Sequence, residues 1–258
     1  MPQMTESDGA SRTKVAIVTG ASSGIGQASA IALAEAGWSI SLLARRADKL
    51  QETRQLCKDP AKVLLVQGNV TKEDDVLRLF RETIQRFGRL DMLFNNAGFN
   101  SPQVPIEEVS LETFQNVINV NLTGTFLCTR EAVKVFKSQS PQGGRIINNG
   151  SISAYTPRPF SSPYTSSKHA VLGLTKSTLL DGRAHNITCT QIDIGGAKTA
   201  LSPPPQGTLQ PNGTYSQEAV FDAKHVGEAI VHIASLPLNV TVLTFNIMAT
   251  GMPFVGRG

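Results

Sequence analysis

A doubly wound α/β fold, one parallel sheet covered by helices on both faces, is what this chain of 258 residues predicts. Short apolar, β-branched runs alternate with helix-length stretches from Val15 to Ile247. The first run passes through a glycine turn straight into an alanine-rich helix, and a hydrophobic content of 40 % suffices for one sizeable core. Residues 1–12 are polar and read as a flexible tail, leaving 13–258 as a single domain.

Val15 to Thr19 (VAIVT) reads as a buried strand that ends in Gly20-Ala21-Ser22-Ser23-Gly24-Ile25-Gly26, followed by the helix QASAIALAEA closed at Gly37. Glycines let a backbone approach a pyrophosphate, and a helix N-terminus offers it free N–H groups and partial positive charge. A tight turn needing glycine for its dihedrals alone is the alternative, and three glycines between strand and helix argue against it. The spacing is GxxxGxG rather than GxGxxG, within a Rossmann-like order of strand, turn and helix.

A second strand, Ile40 to Leu43, ends in Ala44-Arg45-Arg46. An acidic residue at this place would bind the adenosine ribose of NAD, whereas arginine accommodates a 2′-phosphate, so Arg45 and Arg46 favour NADP(H) over NAD(H) unless they merely open a solvated helix. A helix over 47–57, a strand over 63–67 and a helix over 72–87 follow, with Asn69 and Val70 placed to contact adenine. The strand over 90–94 runs into Asn95-Asn96-Ala97-Gly98, small residues that admit a flat cofactor.

Helices are expected over 111–120 and 125–138, with Asn121 between them, either capping a break or holding a water that relays protons to Lys168. A strand over 145–149 delivers Ser151, and the helix of Tyr164 follows. A strand over 187–192 leads into Asp193-Ile194-Gly195-Gly196-Ala197-Lys198-Thr199. Residues 200–221, rich in proline and without periodicity, read as a substrate loop or a plain surface insertion. A helix over 222–235 and a strand over 240–247 close the domain before an apolar tail, suited to packing on another subunit or on the substrate loop.

Tyr164 and Lys168 are four residues apart on one helix and so share a face. A nearby ammonium favours a phenolate, which would bring Tyr164 toward proton exchange near neutral pH, and a hydroxyl from Ser151 beside it would help hold one carbonyl or alcohol oxygen. Alone, such a pair is more often accidental on a solvated face.

Composition excludes other classes. The formal charge is +4 with no basic run, which gives nucleic acid no support as a partner. Cys57, Cys128 and Cys189 are far apart without metal-ligand spacing, so no metal is expected and free thiols in a reducing, cytoplasmic setting are. No signal-like or membrane-length apolar segment is present, and five N-x-T triplets, at Asn69, Asn121, Asn186, Asn212 and Asn239, read as coincidence.

Taken in register, TGASSGIG (19–26), NNAG (95–98), Asn121 in NVNLTG, Ser151 in NNGSIS and YTSSK (164–168) resemble the short-chain dehydrogenase/reductase family from Lys14 to Ile247. The resemblance implies a seven-stranded parallel sheet in the order 3-2-1-4-5-6-7, a homodimer or homotetramer, and an NADP(H)-dependent oxidoreductase of a small-molecule ketone or secondary alcohol. It also implies Tyr164 as proton donor or acceptor, Ser151 orienting the substrate oxygen, Lys168 lowering the phenol's pKa and holding the ribose, and Asn121 anchoring a relay water.

The chain departs from that pattern at Ile194-Gly195, where the family has Pro-Gly, and at Asn69, where it has Asp; Thr199 stays where a threonine meets the carboxamide. Non-redox catalysis or nucleotide sensing on the same fold are the rivals, and the intact tetrad and glycine turn count against both. Phe99, Asn100, Ser153, Tyr155, Phe160, Tyr215 and Phe221 are the candidates for the substrate pocket, which suits a partly apolar carbonyl compound with some polar groups.

Overall fold

Runs such as VAIVT and SISLLA have no wet face, so each must be covered on both sides. The structure, a computed structural model describing residues 12–199 and 207–255, satisfies this with one parallel sheet. Its strands are Val15–Thr19 (β1), Ser39–Ala44 (β2), Val63–Gln67 (β3), Met92–Asn95 (β4), Gly144–Asn149 (β5), Ile187–Gly195 (β6) and Thr244–Met248 (β7). They lie in the order β3-β2-β1-β4-β5-β6-β7, as the family resemblance implied. The order reverses between β1 and β4, and the crevice of such a sheet opens there, at the carboxyl ends of the strands.

Gly24–Glu35 (α1), Ala47–Leu56 (α2), Glu73–Phe87 (α3), Leu111–Ile118 (α4), Thr125–Ser138 (α5), Ser162–Gly182 (α6) and Lys224–Ser235 (α7) cover the two faces. Alternation along each strand divides the core. Ala16, Val18, Ile40 and Leu42 pack with Leu33, Val226 and Ile230 on one side; Ile17, Leu43, Leu93 and Ile146 pack with Val76, Leu79 and Phe136 on the other. At about 25 cal/mol per Å² of apolar surface removed from water, these two layers are the main favourable contribution to folding.

Four expectations are corrected. Asn121 does not interrupt a helix: Asn119–Gly124 form a π-helical turn that joins α4 to α5 without a break. The last strand begins at Thr244, not 240, because the turn after α7 is turned inward on the buried Arg145. One Nη of this guanidinium donates to the carbonyls of Leu236, Pro237 and Val240, each at 3.1 Å, so the turn cannot join the sheet. The helix expected from 222 begins at Lys224, after Phe221–Asp222 has paired with Ala197–Lys198 in a two-stranded ribbon. Within the expected loop, residues 200–206 lie outside the described residues, but Thr208–Leu209 and Tyr215–Ser216 form an antiparallel hairpin.

The tail packs on its own chain. Ala249 and Met252 are buried against Ile152, with Phe221, Met248 and Phe254 around them. Most of the expected N-terminal tail, residues 1–11, lies outside the described residues.

Candidate active site

Two adjoining cavities, of about 430 and 310 Å³, open at the carboxyl ends of β1, β4 and β5 and share Gly20, Ser23, Ala97, Gly98 and Phe99. The glycine turn forms one wall. Gly20 and Gly24 have φ of +65° and +56°, which favour glycine. Gly26 is not on the wall but beneath it, where a Cβ would stand 2.4 Å from the Gly20 carbonyl oxygen. The first turn of α1 has neither an acidic residue nor a side-chain cap, so its N–H groups remain available beside Ser23, Gly24 and Ile25 on the cavity wall. An anion fits that end of the helix.

The facing wall is NNAG. The N–H groups of Asn96 and Ala97 both donate to Thr19 Oγ1 at 3.0 Å. Asn96 Nδ2 donates to the carbonyls of Thr19 and Gly20, and Asn96 Oδ1 accepts from Asn149 Nδ2 at 2.8 Å. Thus β1, β4 and β5 are cross-linked by amides at the crevice. Behind them Asn95 Nδ2 donates to Asn148 Oδ1 and Thr129 Oγ1. Ile194 and Thr199 line the larger cavity, Thr199 opposite Gly24.

The smaller cavity is walled by Ser22, Ala44, Arg45, Arg46, Asn69 and Val70. Arg46 Nη2 donates to the hydroxyls of both Ser22 and Ser23 at 3.1 Å, so guanidinium and hydroxyls form one positively charged donor cluster. No carboxylate residue lines this cavity among the described residues. Asn69 is fixed by its own loop: its N–H donates to Asp75, and its Oδ1 accepts from the Thr71 N–H.

Ser151, Tyr164 and Lys168 converge on the larger cavity. β5 ends at Asn149, and Ser151 leads a short 3₁₀ turn, Ile152–Ala154, with its Oγ accepting from the Ser153 N–H at 3.1 Å. Lys168 is buried, its Nζ donating to the Asn149 carbonyl at 2.6 Å and standing 5.4 Å from the centre of the Tyr164 ring. Burial brings the ammonium down to about 8, against an opposing pull from Asp193.

The phenol does not follow the sequence expectation. Burial pushes Tyr164 above the usual phenol value, outweighing the Ser151 hydroxyl and the Arg158 charge, which favour the phenolate. The physical reason is that the phenol itself is desolvated, which penalises its charged form more than the neighbouring hydroxyl and guanidinium favour it. In this arrangement Tyr164 is a neutral phenol at pH 7, hence a proton donor.

Asn121 is not on the cavity wall. Its Oδ1 accepts from the Phe99 N–H at 3.0 Å, and its Nδ2 donates to the Phe99 carbonyl and to Ser167 Oγ. The amide oxygen and one amide N–H are therefore committed to positioning Phe99, at the boundary of the two cavities, and the other N–H to Ser167.

Of the expected pocket residues, Phe99, Asn100 and Ser153 line the cavity. Tyr155 turns away to donate to Asp193 Oδ2, Phe160 and Tyr215 are exposed, and Phe221 packs on the tail. Sequence reasoning missed Ser101, Thr208 and a bidentate pair in which both Nη atoms of Arg158 donate to the Glu218 carboxylate across the mouth. It also passed over Asp193, although a carboxylate closing an apolar strand is a visible signal.

Fold and site bring Ser151, Tyr164 and Lys168 to the crevice at which a doubly wound sheet of this kind takes a dinucleotide. The family model for short chain dehydrogenase matches residues 14–206, and the chain belongs to the short-chain dehydrogenase/reductase family. These are NAD(P)-dependent oxidoreductases acting on ketones and alcohols. It is 33 % identical over 199 residues to an A-factor type γ-butyrolactone 1′-reductase (1S-forming) of Streptomyces virginiae, covering 77 % of each chain. The 3-ketoacyl-(acyl-carrier-protein) reductase of Brucella melitensis complexed with NADH superposes with a TM-score of 0.82 at 24 % identity, over 92 % of this chain and 97 % of that one. An actinorhodin polyketide ketoreductase with NADPH gives 0.81 at 25 %, over 92 % and 96 %. No helix among the described residues is long and apolar enough to cross a membrane.

Proposed function

We propose that this protein interconverts a small ketone and its secondary alcohol with NADP(H) in preference to NAD(H), using Tyr164, Ser151 and Lys168 at the reacting oxygen. The observation that carries the reading is their convergence on a cavity continuous with the glycine turn. Bound there, the nicotinamide nucleotide supplies or accepts the hydride at the substrate carbon.

In the reducing direction Tyr164 gives its phenolic proton to the carbonyl oxygen as the C=O electron pair moves onto it, and Ser151 donates a hydrogen bond to the same oxygen. Lys168 holds positive charge behind the phenol, and its carbonyl bond to Asn149 fixes its aim. Asn121 keeps Phe99 in place at the junction. The Arg46–Ser22–Ser23 cluster supports the cofactor preference, since it offers donors to a 2′-phosphate where a ribose-binding carboxylate would otherwise stand.

The substrate half, with Phe99, Val220 and Met252 beside Asn100, Ser101, Ser153 and Thr208, suits a carbonyl compound with both apolar and hydrogen-bonding surface. Residues 207–221 act as a substrate loop fastened by Arg158 and Glu218. Exposed Leu111, Phe114 and Phe126 on α4 and α5 support self-association as a dimer or tetramer, and the unpaired thiols support a reducing, cytoplasmic setting. The test is oxidation of NADPH by a panel containing cyclohexanone, 2,3-butanedione and ethyl acetoacetate. Turnover that Tyr164→Phe reduces by at least about 10²-fold is expected; equal turnover in that variant refutes the mechanism.

A further inference from the structure

Asp193 stands at the end of β6 with no exposed surface, and its carboxylate meets three donors. Oδ1 accepts from the Ser151 N–H at 2.9 Å and from Gln191 Nε2 at 2.8 Å; Oδ2 accepts from the Tyr155 hydroxyl at 3.1 Å. Burial pushes the Asp193 carboxyl above the usual carboxylate range, against which these three donors and the Lys168 charge pull it down, and three donors with no acceptor match the ionised form, which is acceptor-only.

The backbone makes room for it. The β5–β6 ladder carries on as far as the Gly150 N–H, which donates to the Ile192 carbonyl at 2.8 Å. At the next residue the side chain of Asp193 replaces the ladder. A Cβ on Gly150 would lie 2.2 Å from Asp193 Oδ1, so only glycine lets the carboxylate reach beneath the strand end. The charge acts on Tyr155 on the 3₁₀ loop and on Tyr164 and Lys168 on α6, and Arg158 acts on Tyr164 in the opposite sense.

We propose that Asp193 is a positioning residue of this site: its buried carboxylate clamps the segment from Ser151 to Tyr155 at both ends and supplies the negative charge that faces Tyr164 and Lys168. This rests on the reading of those groups as the reacting ones. The clamp fixes the Ser151 backbone, and through it the hydroxyl that holds the substrate oxygen. The charge favours the protonated form of both neighbours, keeping the phenol a donor and the ammonium charged, in line with the direction in which Asp193 moves each of them.

Asp193→Asn separates the two roles. Its amide oxygen can still accept from Ser151 and Gln191 while its NH₂ donates to the Tyr155 oxygen, so the clamp survives and the charge is lost. The chain has three tyrosines, so a Tyr155→Phe/Tyr215→Phe background leaves Tyr164 alone to be titrated by tyrosinate absorbance after a rapid pH jump, without cofactor or substrate.

Adding Asp193→Asn to that background is expected to lower the Tyr164 midpoint by about one pH unit. In the otherwise native chain it is expected to move the alkaline limb of kcat/KM for the best panel ketone to lower pH. Tyr155→Phe alone, which removes one clamp point and keeps the charge, is expected to reduce kcat several-fold with the limb unmoved and KM for NADPH unchanged. A Tyr164 midpoint that Asp193→Asn leaves in place overturns the charge role, and an unchanged kcat in Tyr155→Phe overturns the clamp. If no ketone turns over while the midpoint still moves, the reductase reading fails and the placement of charge stands.

Discussion

Lys168→Met should change how the stability of this protein depends on pH. Lys168 is 5 % exposed and titrates at about 8 in the folded chain, against an ordinary value of 10.5. Between those values the unfolded chain binds more protons than the folded one, so unfolding free energy rises with pH through that window. The destabilisation is fully present below about 8 and gone above 10.5. The interval of about 2.5 units is worth up to about 3 kcal/mol at 1.36 kcal/mol per unit. Tyr164 has the opposite sign: its raised value lends stability that is lost as the pH climbs past the ordinary phenol range. The three buried thiols, pushed up to about 11 for Cys57 and about 12 for Cys128 and Cys189, act in that same sense. These contributions are common to parent and variant and cancel in the difference between them. Urea unfolding followed by the fluorescence of Trp38, the single tryptophan and a buried one, reads that difference. The parent should gain about 2 kcal/mol relative to Lys168→Met between about pH 7.5 and 9.5. Parallel stability curves would refute the claim that Lys168 is held as a desolvated cation.

Gly26→Ala would place a methyl group 2.4 Å from the Gly20 carbonyl oxygen and 2.5 Å from Asn96 Nδ2, so the turn must move off NNAG. A stability loss of about 1–3 kcal/mol by urea unfolding and a loss of NADPH binding at least tenfold are expected. Arg158→Ala leaves the almost fully buried Glu218 carboxylate without its guanidinium, and cleavage within 207–221 by a nonspecific protease should quicken while the rest of the chain stays resistant. The buried thiols should react with a thiol reagent only on unfolding, and prompt labelling of any one of them at about pH 8 would contradict its burial.

What the sequence disclosed was local. VAIVT, the glycine turn and the alanine-rich helix are contiguous, so periodicity and glycine chemistry alone specify a buried strand, a turn and a helix N-terminus. Tyr164 and Lys168 share a helix face by spacing, and Ser151 follows a strand end, so their convergence follows once the sheet is parallel. What stayed hidden depends on distant pairing or on burial. Arg158 and Glu218 are sixty positions apart and nothing in either neighbourhood points to the other. The strand start at Thr244 depends on Arg145, ninety or more positions away. The direction of the Tyr164 shift is a contest between a neighbouring charge and desolvation, and a sequence displays only the charge. The partners of the Asn121 amide N–H groups lie on other segments of the chain, the loop of Phe99 and the helix of Ser167, and so were equally out of view.

The most direct test of the account is titration of the purified protein with NADPH and with NADH, followed by a ketone assay of the parent and of Tyr164→Phe. The account predicts tighter NADPH binding, a preference that Arg46→Ala removes, and carbonyl-driven NADPH oxidation that disappears with the phenol while NADPH affinity is retained. Equal affinity for the two nucleotides would contradict the role given to the Arg46–Ser22–Ser23 cluster, and undiminished turnover in Tyr164→Phe would contradict the reaction centre itself.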